Sequence, residues 1–193
     1  LSRHLQAALS GTTRAAFVSG DAGTGKTALL EAFATSAMAA HPDLLVVSAR
    51  CNPGGGTDPF APLRRCTGML FGDLTGNVAW WLAGEDQLDR LQRATDLVLT
   101  SFCASGFGLV DTLVPAPSLA RRAQLATPKI AAKLGGWRTG QHATPQEPMM
   151  LAREALFDQL ACTFAAVARQ QPLLIILDDL QWANPASLRL REV

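Results

Sequence analysis

The sequence predicts an α/β fold, a parallel sheet with helices on both faces and a helical insert, and three observations carry that expectation. The pattern Gly20-Asp21-Ala22-Gly23-Thr24-Gly25-Lys26-Thr27 lies between an apolar run at 15–19 and an Ala- and Leu-rich stretch at 28–40. A second apolar run, Leu44-Leu45-Val46-Val47, follows His41-Pro42. A third, Leu173-Leu174-Ile175-Ile176-Leu177, ends in Asp178 and Asp179. Short apolar runs separated by helix-length segments are the pattern of parallel strands joined by crossovers.

Residues 1–10 read as a helix with Leu1, Leu5, Ala8 and Leu9 on one face, and Gly11-Thr12-Thr13 as a turn. Residues 15–19 are expected to form the first core strand. The pattern at 20–27 is G-x-x-x-x-G-K-T, the phosphate-binding loop of nucleoside triphosphatases, in the strand–loop–helix setting it needs. With 16 Gly and three Lys in 193 residues, roughly 0.002 to 0.003 chance matches to that pattern are expected.

The chemistry follows from the residue types. Glycine admits torsions that let successive N–H groups point inward around a phosphate. The helix that starts there adds its positive dipole end. Lys26 supplies a mobile point charge for the β- and γ-oxygens, and Thr27 a hydroxyl for a magnesium ion. All eight residues from Gly20 to Thr27 are thus expected to bind ATP, with Thr27 and Asp178 on magnesium and Lys26 also serving turnover.

The helix from Lys26 to about Ala40 is expected to turn Leu29, Leu30, Phe33, Ala37 and Met38 toward the sheet, with His41-Pro42 ending it. The strand near 44–50 should run parallel to the first, because a helix crosses between them. Residues 51–59 read as a long turn in which Asp58 caps a helix that begins at Pro59 and presents Phe60, Leu63, Thr67 and Leu70. Trp80-Trp81 reads as a packing anchor. A further helix at about 85–104 carries Leu88, Leu91, Thr95, Val98 and Phe102.

Pro115, Pro117 and Pro128 break 106–135 into short helices, and 135–148 reads as a polar loop. A helix at 147–169 presents Met150, Phe157, Leu160, Phe164 and Val167. Residues 52–170 therefore form the mostly helical insert of a single domain spanning 1–193.

A buried strand cannot carry charge, so Asp178 and Asp179 must lie at the C-terminal edge of the strand near 172–178. The phosphate loop lies at the same edge of a parallel sheet. Asp178 is then placed to hold magnesium opposite Thr27. Asp179 is placed to orient or activate the attacking water, a catalytic role shared with Lys26.

Composition bounds the alternatives. Hydrophobic content of 48% and a mean hydropathy of +0.15 exclude a disordered chain. A net charge of +1 and only three lysines do not indicate a nucleic-acid surface. Cys51, Cys66, Cys103 and Cys162 lack C-x-x-C spacing and read as buried, reduced thiols of a cytoplasmic protein. No signal peptide or membrane span is visible. The chain starts at Leu1 and stops just after an apparent helix start, so it reads as a C-terminally truncated fragment.

The run Leu177-Asp178-Asp179-Leu180-Gln181-Trp182-Ala183-Asn184-Pro185-Ala186-Ser187-Leu188 resembles the LDDLQWAD-x-x-SL signature of the signal-transducing ATPases with numerous domains. These STAND proteins, similar to origin-recognition-like AAA ATPase domains, include modules of large LuxR-type regulators and some adenylate cyclases. Cys51-Asn52-Pro53, Asp58-Pro59-Phe60, the stretch from Leu109 to Pro115 and that from Ala155 to Leu160 fit the same group.

The resemblance implies a P-loop NTPase module that binds MgATP and works as a regulated switch. Asn184 stands where that group usually has Asp. Asp179 replaces the Glu of fast AAA motors, which implies slow hydrolysis. The implied partners are ATP and ADP, further domains of the same chain and nucleotide-dependent copies of itself, with no direct nucleic-acid contact and no membrane. A small-molecule kinase or a non-hydrolysing ATP-binding scaffold is the alternative. The kinase would need an Arg-rich lid, and 121–153 holds only Arg121, Arg122, Arg138 and Arg153. A GTPase would need N-K-x-D and a transporter ATPase L-S-G-G-Q, and neither is present.

Overall fold

The computed structural model describes residues 1–52, 58, 60–72, 85–105, 109, 113, 114, 119 and 153–183. Their elements, in order, are α1 (Ser2–Leu9), α2 (Lys26–Ala40), β1 (Leu45–Arg50), α3 (Ala61–Leu70), α4 (Glu85–Arg93), α5 (Thr95–Ser105), α6 (Arg153–Ala168) and β2 (Leu173–Asp178). A short 3₁₀ turn, Leu180–Trp182, follows. The fold is α/β: among the described residues, six helices and two strands that pair in parallel. No helix among them is long and apolar enough to cross a membrane.

Strand register sets the site. Leu45 pairs with Leu173, and so on in step until Arg50 faces Asp178. Leu45 donates to the Pro172 carbonyl at 2.9 Å and Cys51 to that of Asp178 at 3.0 Å, so the odd residues of β1 bond β2. The even ones face away, since the two edges of a strand alternate. There Gln87 Nε2 of α4 donates to the Val46 carbonyl at 2.5 Å, and the Ser48 N–H points at Met69 Sδ of α3 at 3.4 Å. Side chains thus close an edge that would otherwise invite another strand. Residues 45–49 are fully buried as a result.

Two expectations about the sheet need correction. Residues 15–20 take no regular structure and join neither strand, and Phe17 is 62% exposed. An apolar run has strand propensity only where a neighbouring edge accepts its backbone bonds. Here β1 has β2 on one side and α3 and α4 on the other. The third run does form β2, but half-buried, with Ile176 its one fully buried residue.

Helix α2 turns most of the expected face inward, with Leu30, Ala37 and Met38 on the core side, and departs from it at Leu29. Ala34 and Ala37 are buried, Leu30 and Met38 pack at the margin, and Leu29 is 50% exposed. Positions 27, 30, 34 and 37 share one face at helical spacing, which aims Thr27 at the same side as the core. The end of α2 is closed by Arg90 of α4, whose guanidinium donates to the carbonyls of Met38, His41 and Pro42, each at 2.8 Å. The Met38 carbonyl is one that a helix terminus leaves without a partner, and a cation suits that end of the dipole.

In α3 the expected Phe60, Leu63, Thr67 and Leu70 are all buried. Asp58 accepts from the Phe60 N–H at 2.9 Å and pairs with Arg64 at 3.2 Å, although the helix itself begins at Ala61. The helix expected at 85–104 is broken at Ala94 into α4 and α5. Leu91, Thr95, Val98 and Phe102 are buried as expected, while Leu88 is half-buried. Phe71 meets Phe102 edge-on at 5.1 Å, and Phe60 meets Phe157 of α6 at 4.8 Å. The apolar stripe of α6 is buried at Phe157, Leu160, Phe164 and Val167. Trp80, Trp81, Met150 and most of 106–152 lie outside the described residues.

The cysteines divide. Cys51 and Cys66 are buried, but Cys103 is half-buried and Cys162 lies on the open side of α6, contrary to the expectation of four buried thiols. Burial pushes the Cys66 thiol up to about 12 from its ordinary 9.0, with Cys51 adding to the shift and Arg65 opposing it. The folded chain therefore keeps this thiol neutral at a pH where the unfolded chain ionises it. This contribution to stability is whole below about pH 9 and is lost as pH rises toward 12. The chain contains no Tyr, so that class of group does not add to the slope, and the Cys66→Ala comparison isolates this thiol from the rest. The urea midpoint should fall from pH 8.5 to 11 in the parent, and fall less steeply in Cys66→Ala. Parallel slopes would contradict the burial of this thiol as their cause.

Candidate functional site

The loop from Gly20 to Thr27 ends in the first turn of α2. Gly23 and Gly25 hold φ of 80° and 87°, the left-handed region that other residues avoid. Gly25 is the N-cap of α2, and its carbonyl accepts from the Leu29 N–H at 2.9 Å. The Thr24 hydroxyl donates to the Asp21 carbonyl at 2.8 Å, folding the loop on itself. A Cβ at Gly20 would come within 3.0 Å of that hydroxyl.

Lys26 curls back over the loop. Its Nζ donates to the carbonyls of Gly20 at 2.9 Å and Asp21 at 2.7 Å. The ammonium thus sits at the rim of the loop, on a stem that leaves a third donor and free rotation.

Thr27 and Asp178, 151 residues apart, touch: Thr27 Oγ1 donates to Asp178 Oδ2 at 2.8 Å. One comes from the start of α2 and the other from the end of β2, so the loop lies against the C-terminal edge of the sheet. A hydroxyl and a carboxylate oxygen this close are hard donors of the kind magnesium takes. Among the described residues no three His, Cys, Asp or Glu cluster as a metal cage. A two-oxygen set suits magnesium, which keeps water and phosphate as its other ligands. The donor set fits that ion.

Asp179 adopts φ 56°, and its N–H donates to Asp178 Oδ1 at 2.9 Å. Asp tolerates this conformation better than most side chains. Asp179 Oδ2 meets Arg50 Nε at 3.1 Å, and its Oδ1 accepts from Gln181 Nε2 at 3.0 Å. Asn184 lies outside the described residues.

Arg50 is the residue that sequence reasoning missed. Its Nη2 lies 3.1 Å from Asp178 Oδ2 and 3.4 Å from Thr27 Oγ1, while Nε holds Asp179. One guanidinium thus bridges both carboxylates. The signal was present, since Arg50 ends an apolar run at the same sheet edge as Asp178. Using it required knowing that the two strands are neighbours in step. Beside it, burial first, then Asp179 and Asp178, push the Cys51 thiol up.

A cavity of about 80 Å³ opens next to Arg50, walled by Asp58, Arg65 and Trp182. A larger one, about 310 Å³, lies at the other end of the strands between Pro42, Arg90 and Pro172. Ligands of open parallel sheets gather at the C-terminal strand ends, so the smaller cavity is the one that bears on this site.

No curated protein and no solved structure matches the chain. The family model of the AAA ATPase domain matches residues 1–193, the whole sequence. The chain therefore belongs to the AAA ATPase domain family, P-loop NTPases that bind and hydrolyse ATP with magnesium.

Proposed function

We propose that this AAA ATPase domain is the nucleotide-controlled switch of a multidomain cytoplasmic signalling or transcriptional regulator of the STAND type, with slow, magnesium-dependent hydrolysis. The contact between Thr27 Oγ1 and Asp178 Oδ2 supports the nucleotide and magnesium part of this reading most directly, because it joins the phosphate loop to the strand-end carboxylate at 2.8 Å, and the run from Leu177 to Leu188 supports the STAND part. In this reading the loop N–H groups and Lys26 bind the phosphates, and Thr27 and Asp178 hold magnesium. The bound ion would neutralise charge on the β- and γ-oxygens. Asp179 orients the attacking water. Its carboxylate is shared with Arg50 and Gln181, which orient it while each oxygen keeps a lone pair for water.

The test uses the full-length protein. Asp179→Asn should bind ATP within about twofold of the parent and release phosphate at least about 100-fold more slowly, the usual weight of a general base. Loss of binding in that variant would refute the assigned role. The switch itself predicts that ATP and ADP give different protease-protection patterns, and identical patterns would leave a simple ATPase.

A further inference from the structure

The phosphate-loop chemistry leaves Arg50 unexplained. Its side chain is 56% exposed, yet it contacts three oxygen-bearing side chains at once. Two of them, Thr27 and Asp178, are the proposed ligands of the divalent cation. Nη2 reaches the same Oγ1 and Oδ2 atoms whose approach makes them a cation site. A guanidinium and a divalent cation cannot both occupy that position, because two positive charges would stand within a few ångströms of each other. Withdrawal of the guanidinium disturbs no core packing, since the side chain is mostly in solvent and borders the small cavity beside Asp58 and Trp182.

We propose that Arg50 is a positioning residue that competes with the divalent cation. In the metal-free site it neutralises the adjacent Asp178 and Asp179 carboxylates and holds them in place. Cation binding requires its Nη2 to leave Asp178 Oδ2 and Thr27 Oγ1. Arg50 thereby sets the magnesium concentration at which the site closes on nucleotide. This inference rests on the reading of Thr27 and Asp178 as cation ligands.

The experiment titrates magnesium into the full-length protein at saturating ADP, which lacks the γ-phosphate and so excludes a direct effect of Arg50 on that group. Half-saturation by magnesium and melting temperature are read for the parent, Arg50→Gln, Arg50→Lys and Asp178→Asn. Exposed ion pairs are individually weak, and two meet at Arg50. Half-saturation by magnesium should therefore fall about 2- to 10-fold in Arg50→Gln. Arg50→Lys should lie between that variant and the parent, since an ammonium cannot span both carboxylates, and it carries the measurement if Arg50→Gln does not fold. Without metal, Arg50→Gln should melt below the parent, and saturating magnesium should close the gap.

An equal melting deficit with and without magnesium, at unchanged half-saturation, would mean a structural role and overturn the proposal. If the parent responds to magnesium, Asp178→Asn does not, and both Arg50 variants match the parent, the Arg50 inference alone fails. If the parent itself does not respond, the cation-ligand reading fails and takes this inference with it.

Discussion

Replacing Lys26 by Ala should weaken MgATP binding about 10- to 150-fold. A hydrogen bond from a charged donor contributes roughly 1.5–3 kcal/mol, and the affinity change follows from it. The ammonium is already held at the rim of the phosphate loop by the carbonyls of Gly20 and Asp21, 2.9 and 2.7 Å away. Exchanging those carbonyls for phosphate oxygens requires a swing of the side chain and no movement of α2. The two carbonyls stay open to solvent in the variant, so the fold should survive the change. Calorimetric titration with ATP, alongside a melting curve, checks both halves. Parent-like affinity in a folded Lys26→Ala protein would overturn the reading of residues 20–27 as a phosphate site.

Asp178→Asn should separate metal from nucleotide. Asn is nearly isosteric, and its carbonyl oxygen can still accept from Thr27 Oγ1, which now lies 2.8 Å from Asp178 Oδ2. The charge disappears, and with it the acceptor that the Asp179 N–H uses, since an amide nitrogen takes the place of Oδ1. Loss of a group that merely supports a metal ligand costs about 10- to 100-fold in metal affinity, and a group bound to the ion directly or through one water should cost at least as much. Metal-free ATP should bind about as well as to the parent, while the gain on adding magnesium vanishes. Titrations with and without magnesium on Asp178→Asn and Asp179→Asn give the comparison. If Asp178→Asn kept the full magnesium effect and Asp179→Asn lost binding, the two carboxylates would have to exchange roles.

Much of this site was legible in the linear sequence because its parts are local. The phosphate loop needs glycines at set offsets from a lysine, and Gly23 and Gly25 occupy the left-handed conformations that such a turn demands. An apolar run ending in two acids has to put those acids at a strand end, and β2 ends at Asp178. The apolar positions of α3, α5 and α6 followed from helical spacing with few exceptions.

The misreadings share a cause. Residues 15–19 look like a core strand, yet a strand exists only against a partner edge, and no local feature specifies that edge. Leu29 is as apolar as Leu30, but which of the two faces the core depends on how α2 rolls against its neighbours. Gln87 and Arg90 look like ordinary polar positions of a surface helix, and their work is to complete backbone groups of β1 and α2 more than forty residues away.

The sequence by itself determined the phosphate loop, the carboxylates at the end of β2 and the family to which the chain belongs, since each depends on residue type at short spacing. Only the tertiary structure decided that Arg50 stands between Asp178 and Asp179. That juxtaposition comes from the parallel register of β1 and β2, which sets residue 50 opposite residue 178. Register is the joint outcome of packing over both strands and the helices on them, so no single segment of the chain encodes it.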